Sequence, residues 1–232
     1  MNKGSVGFIC GALLTIIAPF LTFAQGTKLL VVDKYKVYKR MVLADSVGKM
    51  VPIGTYDGIM YQPVYAGNNN FTGQRLYPKH HNTYLRMPAA KALLAIAATL
   101  KQQGYGIIIW DAYRPYTISK KMWGLVPDER YVANPAKGSG HNRGIAVDLT
   151  LYILDTGQEL DMGTGFDNFT DSAHHGFKGL NAQQQANRNL LKKAMEEHGF
   201  TSLATEWWHY SWSGKTFPVL DLSFGQLAKL TD

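Results

Sequence analysis

The chain has 232 residues, 46% hydrophobic and 18% charged, so it can bury one sizeable core and falls within the span of a single globular domain. Its formal net charge of +7 comes from scattered lysines and arginines, with only short runs such as Lys34-Tyr35-Lys36 and Lys192-Lys193; this argues against nucleic-acid binding and suits contact with anionic surfaces. The one cysteine, Cys10, lies in an N-terminal apolar run, so the mature chain expected below has no thiol. Cysteine nucleophiles, disulfides and cysteine zinc sites are thereby excluded, and any metal must be held by histidine and carboxylate.

Residues 1–24 read as a secretory signal. Lys3 supplies the positive charge, Val6 to Phe23 forms the apolar run, and Thr22-Phe23-Ala24 offers a small-x-small cleavage site before Gln25. An uncleaved N-terminal anchor is the alternative; on either reading the body, residues 25–232, is expected outside the cytoplasm, periplasmic or secreted, with this segment as its only membrane contact. No repeat, low-complexity tract or composition break divides that body, so one domain is expected.

Residues 28–80 are rich in Tyr, Gly, Asn and Pro and read as loop and edge, with Asn68-Asn69-Asn70-Phe71-Thr72-Gly73 as the plainest turn. From Pro88 to Gln103, Leu93, Ala97 and Leu100 recur at helical spacing, and Gly104 supplies the stop. The short β-branched run Tyr105 to Trp110 suits a strand buried on both faces. Asp111-Ala112-Tyr113-Arg114-Pro115 follows at its end, with Pro115 opening a short helix to Trp123. Strict alternation from Ile145 sets Val147, Leu149 and Leu151 on one strand face and Asp148 on the other, away from the core. A second helix runs from Ala182 to His198, capped by Asn181 and ended by Gly199. In Glu206-Trp207-Trp208-His209-Tyr210-Ser211-Trp212, a straight strand faces His209 opposite the Trp208, Tyr210 and Trp212 stripe. Helices and strands in mixed order predict an α+β fold with a mainly antiparallel central sheet flanked by helices.

The chemistry concentrates in two distant segments. Ser139-Gly140-His141-Asn142-Arg143-Gly144-Ile145-Ala146-Val147-Asp148 puts a histidine in a glycine-flanked turn and a carboxylate on a strand. Alone, that pair equally describes a solvated couple or a hydrogen-bonded turn. Glu206 and His209, three apart beside an aromatic cluster, add a third ligand and a carboxylate free of metal duty. A catalytic zinc site needs three protein ligands and one open position, which His141, Asp148 and His209 meet with one ion per chain. Glu206 is then the general base, provided a turn or bulge near Trp207 brings it to the face of His209. Arg114 is the natural partner for a developing oxyanion, oriented by Asp111; the plainer alternative is an Asp-Arg pair closing a turn. The tryptophans read as core, and of His174 and His175 one is expected to pack and the other to hydrogen-bond near the site.

Taken together, SGHNRGIAVDLTL at Ser139 to Leu151, the strand end WDAYRP, MGTGFD at Met162 to Asp167, Ser172-Ala173-His174-His175 and EWWHY resemble the VanX-type D-alanyl-D-alanine dipeptidases of peptidase family M15, in order and spacing, across Tyr65 to Trp212. The resemblance implies a hedgehog and D,D-peptidase-like fold, zinc on His141, Asp148 and His209, Glu206 as base and Arg114 stabilising the tetrahedral intermediate. It also implies a small pocket for a D,D-dipeptide: Asp167 pairs with the substrate ammonium, Ser139 hydrogen-bonds its carboxylate, and Tyr65 and Tyr77 line the walls. Without the resemblance, Asp167 is one of three loop carboxylates with Asp161 and Asp171. The activity so implied is zinc-dependent hydrolysis of D-alanyl-D-alanine in cell-wall peptide turnover or recycling. Two alternatives remain: a D,D-carboxypeptidase acting on stem peptides, and a non-catalytic zinc-binding module, against which the presence of both Glu206 and Arg114 argues. Nothing in the sequence sets an oligomeric state.

Overall fold

The computed structural model describes residues 1, 29–54 and 56–229. The secretory signal expected at residues 1–24, its cleavage site and Cys10 lie outside them but for residue 1. In chain order the elements are β1 (Val31–Val32), α1 (Tyr35–Ala44), β2 (Met50–Pro52), β3 (Ile59–Tyr61), β4 (Tyr84–Arg86), α2 (Met87–Gln102), β5 (Tyr105–Asp111) and α3 (Tyr116–Leu125). There follow α4 (Gly140–Arg143), β6 (Ala146–Ile153), α5 (Ala182–Glu196), β7 (Phe200–Leu203), β8 (Glu206–Trp212), β9 (Val219–Leu220) and α6 (Phe224–Ala228).

The helix α2 forms where the apolar spacing requires it, and Ala89, Ala90, Leu93, Ile96, Ala97 and Leu100 are all buried. It packs against β5, whose run from Gly106 to Asp111 is buried on both faces as expected. α5 starts at a reciprocal cap between Asn181 and Gln184, and Gly199 follows its end at φ 82°.

The central sheet has five strands in the order β3-β5-β6-β8-β7, with β3 and β5 parallel and every other neighbour antiparallel. One core cluster joins α2, α5 and the sheet through Leu93, Ile109, Leu149, Leu191 and Trp207. A second gathers Tyr38, Tyr65, Tyr77, Tyr113 and Phe224 under the N-terminal and C-terminal segments. This is the α+β domain with a mainly antiparallel sheet flanked by helices that the element order implies.

Two elements differ from the sequence reading. Residues 35–44 form a helix, not loop, because Tyr38 turns inward to 1% exposure and its hydroxyl accepts from the Met50 amide at 2.7 Å. Tertiary packing therefore orders a segment whose composition reads as loop and edge. In β8 the alternation breaks: Ser202 is paired with Tyr210, yet Leu203 is already opposite Glu206. Trp207, Trp208 and His209 thus bulge out of register, and both tryptophans are buried, each 1% exposed.

Candidate metal centre

The sheet itself assembles the reactive side chains in one row. Asp111, at the end of β5, is the ladder partner of Asp148 on β6, and Asp148 is the ladder partner of His209 on β8. His141 arrives from α4, a single turn held at both ends. Ser139 Oγ accepts from the Asn142 amide at 3.1 Å, the Asn142 side chain accepts from the Ser139 amide at 3.2 Å, and Gly144 closes the turn at φ 70°. Only glycine suits that last position, because a Cβ there would also meet the Met50 side chain at 2.6 Å. Asn142 fastens the turn to the neighbouring loop by donating to the Arg114 carbonyl and to Ser119 Oγ, both at 2.8 Å.

His141 Nδ1 lies 2.7 Å from the Ala112 carbonyl, an acceptor, so Nδ1 carries the proton and Nε2 offers its lone pair 3.3 Å from Asp148 Oδ2. His209 presents Nδ1 to Asp148 Oδ1 at 2.8 Å, and its Nε2 lies 3.3 Å from Ser211 Oγ. One ligand atom from each of His141, Asp148 and His209 falls within 4.8 Å of the others. Each imidazole thus has its outer nitrogen engaged and its inner nitrogen turned to a shared point, the donor arrangement that suits a divalent metal. Burial opposes ionisation of Asp148, 3% exposed, but the two imidazoles outweigh it and hold the carboxyl below its ordinary range. Burial works against a charged His209 as well, and Asp148 reverses the balance, raising its pKa.

The bulge in β8 is the bend that the sequence demanded near Trp207. It brings Glu206 and His209 to the same cavity, about 440 Å³ in volume, along with Tyr65, Arg114, Ser139, His141, Asp148 and Asp167. Burial pushes the Glu206 carboxyl up to about 7, with His209 and Arg114 opposing and Asp148 reinforcing. A carboxylate near neutrality, beside the ligand cluster, is equipped to take and return a proton.

Arg114 is 8% exposed, and its Nε and Nη2 both donate to Asp111 Oδ2, at 2.9 and 2.7 Å. Asp111 thus fixes the guanidinium, and this is the Asp-Arg pair that the plainer reading of the sequence expected. Nη2 also lies 3.9 Å from Asp148 Oδ2, which places the guanidinium beside the ligand cluster. Burial disfavours its charge, yet Asp111 raises its pKa well above the usual value.

Tyr65 and Asp167 meet inside the cavity, where the tyrosine hydroxyl donates to both carboxylate oxygens at 3.2 and 2.9 Å. Asp167 adopts φ 55°, the only positive φ among the described residues other than glycine. Burial lifts its pKa to about 8, with the Asp148 charge adding and Tyr65 and Arg114 opposing. Asp161 is committed elsewhere, to the Gly163 amide and Gln184.

The expectation for Tyr77 needs correction. It is not among the residues lining the cavity; its hydroxyl is buried and donates to Asp111 Oδ1 at 2.9 Å, one step behind Arg114. Its side chain packs beside Phe224 in the second core, which draws the ring away from the pocket. His174 and His175 likewise lie outside the cavity. His175 packs near Tyr210, with ring centroids 6.2 Å apart, and the His174 imidazole lies 3.9 Å from Asp171 Oδ1, neither of them at the cavity.

Sequence reasoning missed Ser211 behind His209 and the Ala112 carbonyl behind His141. The serine was findable, two residues beyond His209 on the same strand face; a backbone carbonyl leaves no trace in sequence. It also missed the segment between α3 and α4, where Glu129, Tyr131 and Lys137 form a wall of the cavity.

Residues 50–226 match the Peptidase_M15 family, described as D-ala-D-ala dipeptidase. A D-alanyl-D-alanine dipeptidase of Enterococcus faecalis (strain ATCC 700802 / V583) is 34% identical over 186 residues, 72% of this chain and 92% of the relative. One of Escherichia coli (strain K12) is 35% identical over 157 residues, 67% of this chain and 80% of the relative. Among solved structures, the vancomycin resistance D,D-dipeptidase VanXYg in complex with a D-Ala-D-Ala phosphinate analog superposes with a TM-score of 0.38 at 18% identity, covering 71% of this chain and 66% of that one.

Proposed function

The chain belongs to the D-ala-D-ala dipeptidase family and is a metallopeptidase, and from that premise we propose that it hydrolyses D-alanyl-D-alanine to two D-alanines with one zinc ion on His141, Asp148 and His209. The observation that carries this reading is the convergence of those three ligand atoms in a cavity that also holds Glu206, Arg114 and Asp167. Two imidazoles whose outer nitrogens are already engaged, together with one carboxylate, fit zinc and leave a coordination place open. The ion, when bound, supplies Lewis acidity to water and to the scissile carbonyl.

The protein's own groups do the rest. Glu206 takes a proton from the attacking water and returns it to the leaving amine, so that one water is consumed and two free amino acids depart. Arg114, fixed by Asp111, faces the negative charge that develops on the carbonyl oxygen. Asp167 receives the substrate ammonium; its carboxyl, raised to about 8 when alone, becomes a stable carboxylate once a cation lies against it. The Ser139 hydroxyl accepts from Asn142, which leaves its own proton to donate to the substrate carboxylate. Reading both ends of a dipeptide favours a dipeptidase over a carboxypeptidase for stem peptides. The signal read at residues 1–24 puts the enzyme outside the cytoplasm, where wall turnover releases such dipeptides.

The test is release of D-alanine from D-alanyl-D-alanine by the zinc-loaded protein, alongside an N-acetylated tripeptide with the same last two residues. The dipeptide is expected to be cleaved with the higher kcat/KM, and Asp167→Asn is expected to reduce its cleavage at least a hundredfold. Comparable turnover of both substrates, or indifference of the dipeptide to the Asp167 change, refutes the dipeptidase assignment and leaves the carboxypeptidase.

A further inference from the structure

Three loops that are remote in sequence meet beside the cavity through aromatic rings. Phe71 belongs to the turn at residues 67–75, which Asn70 ties together by donating to the Gly67 and Gln74 carbonyls, both at 2.9 Å. Tyr131 belongs to the segment between α3 and α4, which the ion pair Lys137–Glu129 at 2.6 Å stiffens. Phe169 lies two residues beyond Asp167, in the loop that presents this carboxylate to the pocket.

Phe71 and Tyr131 both line the cavity, and Phe169 spans the interval between them. Its ring centroid is 5.2 Å from that of Phe71, edge to face, and 4.6 Å from that of Tyr131, stacked at 26°. Phe71 in turn lies 6.1 Å from Tyr65, whose hydroxyl holds Asp167, and the Arg130 guanidinium covers the Tyr131 ring at 5.1 Å. All three rings of the bridge are half-buried, and among the described residues no backbone hydrogen bond joins the three loops to one another. A bridge of this kind parts by loop motion without breaking a ladder or a helix.

From this arrangement we infer that Phe71, Phe169 and Tyr131 form an aromatic clasp that sets the length of peptide the site accepts. The inference rests on the dipeptide reading and gives it a structural cause beyond the charge on Asp167. A substrate whose ammonium sits against Asp167 has its next residue, were there one, directed along the loop that continues to Phe169. The closed clasp stands in the path of that extension. A free dipeptide ends before it, so the clasp parts to admit the substrate and recloses over it.

The experiment compares Phe169→Ala and Tyr131→Ala with the wild type, using D-alanyl-D-alanine and an N-acetylated tripeptide ending in the same two residues. The ratio of the two kcat/KM values is the readout, because it is independent of the fraction of protein that is folded and active. The tripeptide to dipeptide ratio is expected to rise at least tenfold in both variants. A wild type that discriminates against the tripeptide and variants with an unchanged ratio overturn the clasp but leave the dipeptidase standing. A wild type that does not discriminate refutes the dipeptidase reading, and the clasp with it. A second measurement needs no turnover: Trp208 lines the cavity at 1% exposure, so acrylamide is expected to quench tryptophan fluorescence more steeply in both variants. Quenching identical to the wild type in both counts against a closed clasp whatever the substrate.

Discussion

At the scale of single residues, the proposed mechanism separates metal ligands from groups that handle protons and charge. Glu206 shares the cavity with the three ligands but is not one of the cluster that converges within 4.8 Å. Replacing it by alanine should therefore leave bound zinc stoichiometric by elemental analysis and lower kcat by about a hundredfold to ten-thousandfold, the usual worth of a positioned acid-base group. Loss of the metal in that variant would make Glu206 a ligand. Tyr77 poses a different question, since the family resemblance implied a place in the pocket and the structure puts it behind Asp111. Tyr77→Phe removes one hydroxyl and leaves Asp111 Oδ1 with the Ala112 amide alone, which loosens the carboxylate that aims Arg114. With Arg114 in its proposed role at the developing charge, kcat is expected to fall about tenfold, roughly 1.4 kcal/mol of barrier, with KM nearly unchanged. A rise in KM at constant kcat would restore Tyr77 to the substrate pocket.

At the scale of elements, what positions Asp167 is a buried arginine on α5. Arg188 is 1% exposed; its Nε, Nη1 and Nη2 donate to the carbonyls of Met162, His174 and Ser172, at 2.6, 3.0 and 2.9 Å. Those three carbonyls bracket the loop that holds Asp167 and Phe169. Arg188→Met keeps the buried stem and deletes the donors, leaving carbonyls unpaired at a cost of about 1–3 kcal/mol each where water cannot reach them. Thermal unfolding is expected to drop by about 10 °C, and KM for the dipeptide to rise more than kcat falls. An unchanged KM in the destabilised variant would limit Arg188 to holding the fold.

That arginine also marks where sequence reasoning stops. The helix bearing it was legible from its cap and its apolar spacing, α2 and β6 from one period held over many residues, and β5 from its unbroken β-branched run. The candidate ligands were legible only in combination: His141 and Asp148 alone also fit a hydrogen-bonded turn, and it was the added pair Glu206 and His209, with the family resemblance, that pointed to a metal. The need for a bend at Trp207 followed from Glu206 and His209 facing opposite ways in a straight strand. The contacts of Arg188, Tyr77 and Phe169 were not legible. Arg188 looks like a solvated helix cation, and Tyr77 like any pocket tyrosine. What decides them is which loop the fold lays against them, and that information resides in contacts across more than a dozen residues of chain. The helix α1 was missed for the same reason, since Tyr38 is held by the Met50 amide and not by its neighbours along the helix.

At the scale of the whole molecule, the metal cluster is a junction as well as a site. His141 comes from α4, Asp148 from β6 and His209 from β8, and the carbonyl behind His141 belongs to the residue after β5. An ion gripping three of these segments binds the folded chain and not the unfolded one, so occupancy must raise stability by mass action. At free zinc a thousandfold above its dissociation constant the gain is about 4 kcal/mol, and a domain of this size converts each kcal/mol into roughly 2–4 °C. Stripping the metal with a chelator is therefore expected to lower the unfolding temperature by about 8–16 °C by these same relations. Adding back zinc should restore it, and magnesium, which prefers oxygen ligands, should not. The same scan on His141→Ala separates a site effect from a general effect of chelator: that variant should unfold at one temperature with or without zinc. A wild-type unfolding temperature indifferent to chelation, in protein shown by elemental analysis to have lost its metal, would mean that the three side chains hold their places unaided. The fold would then support the cluster, and the ion would serve chemistry alone.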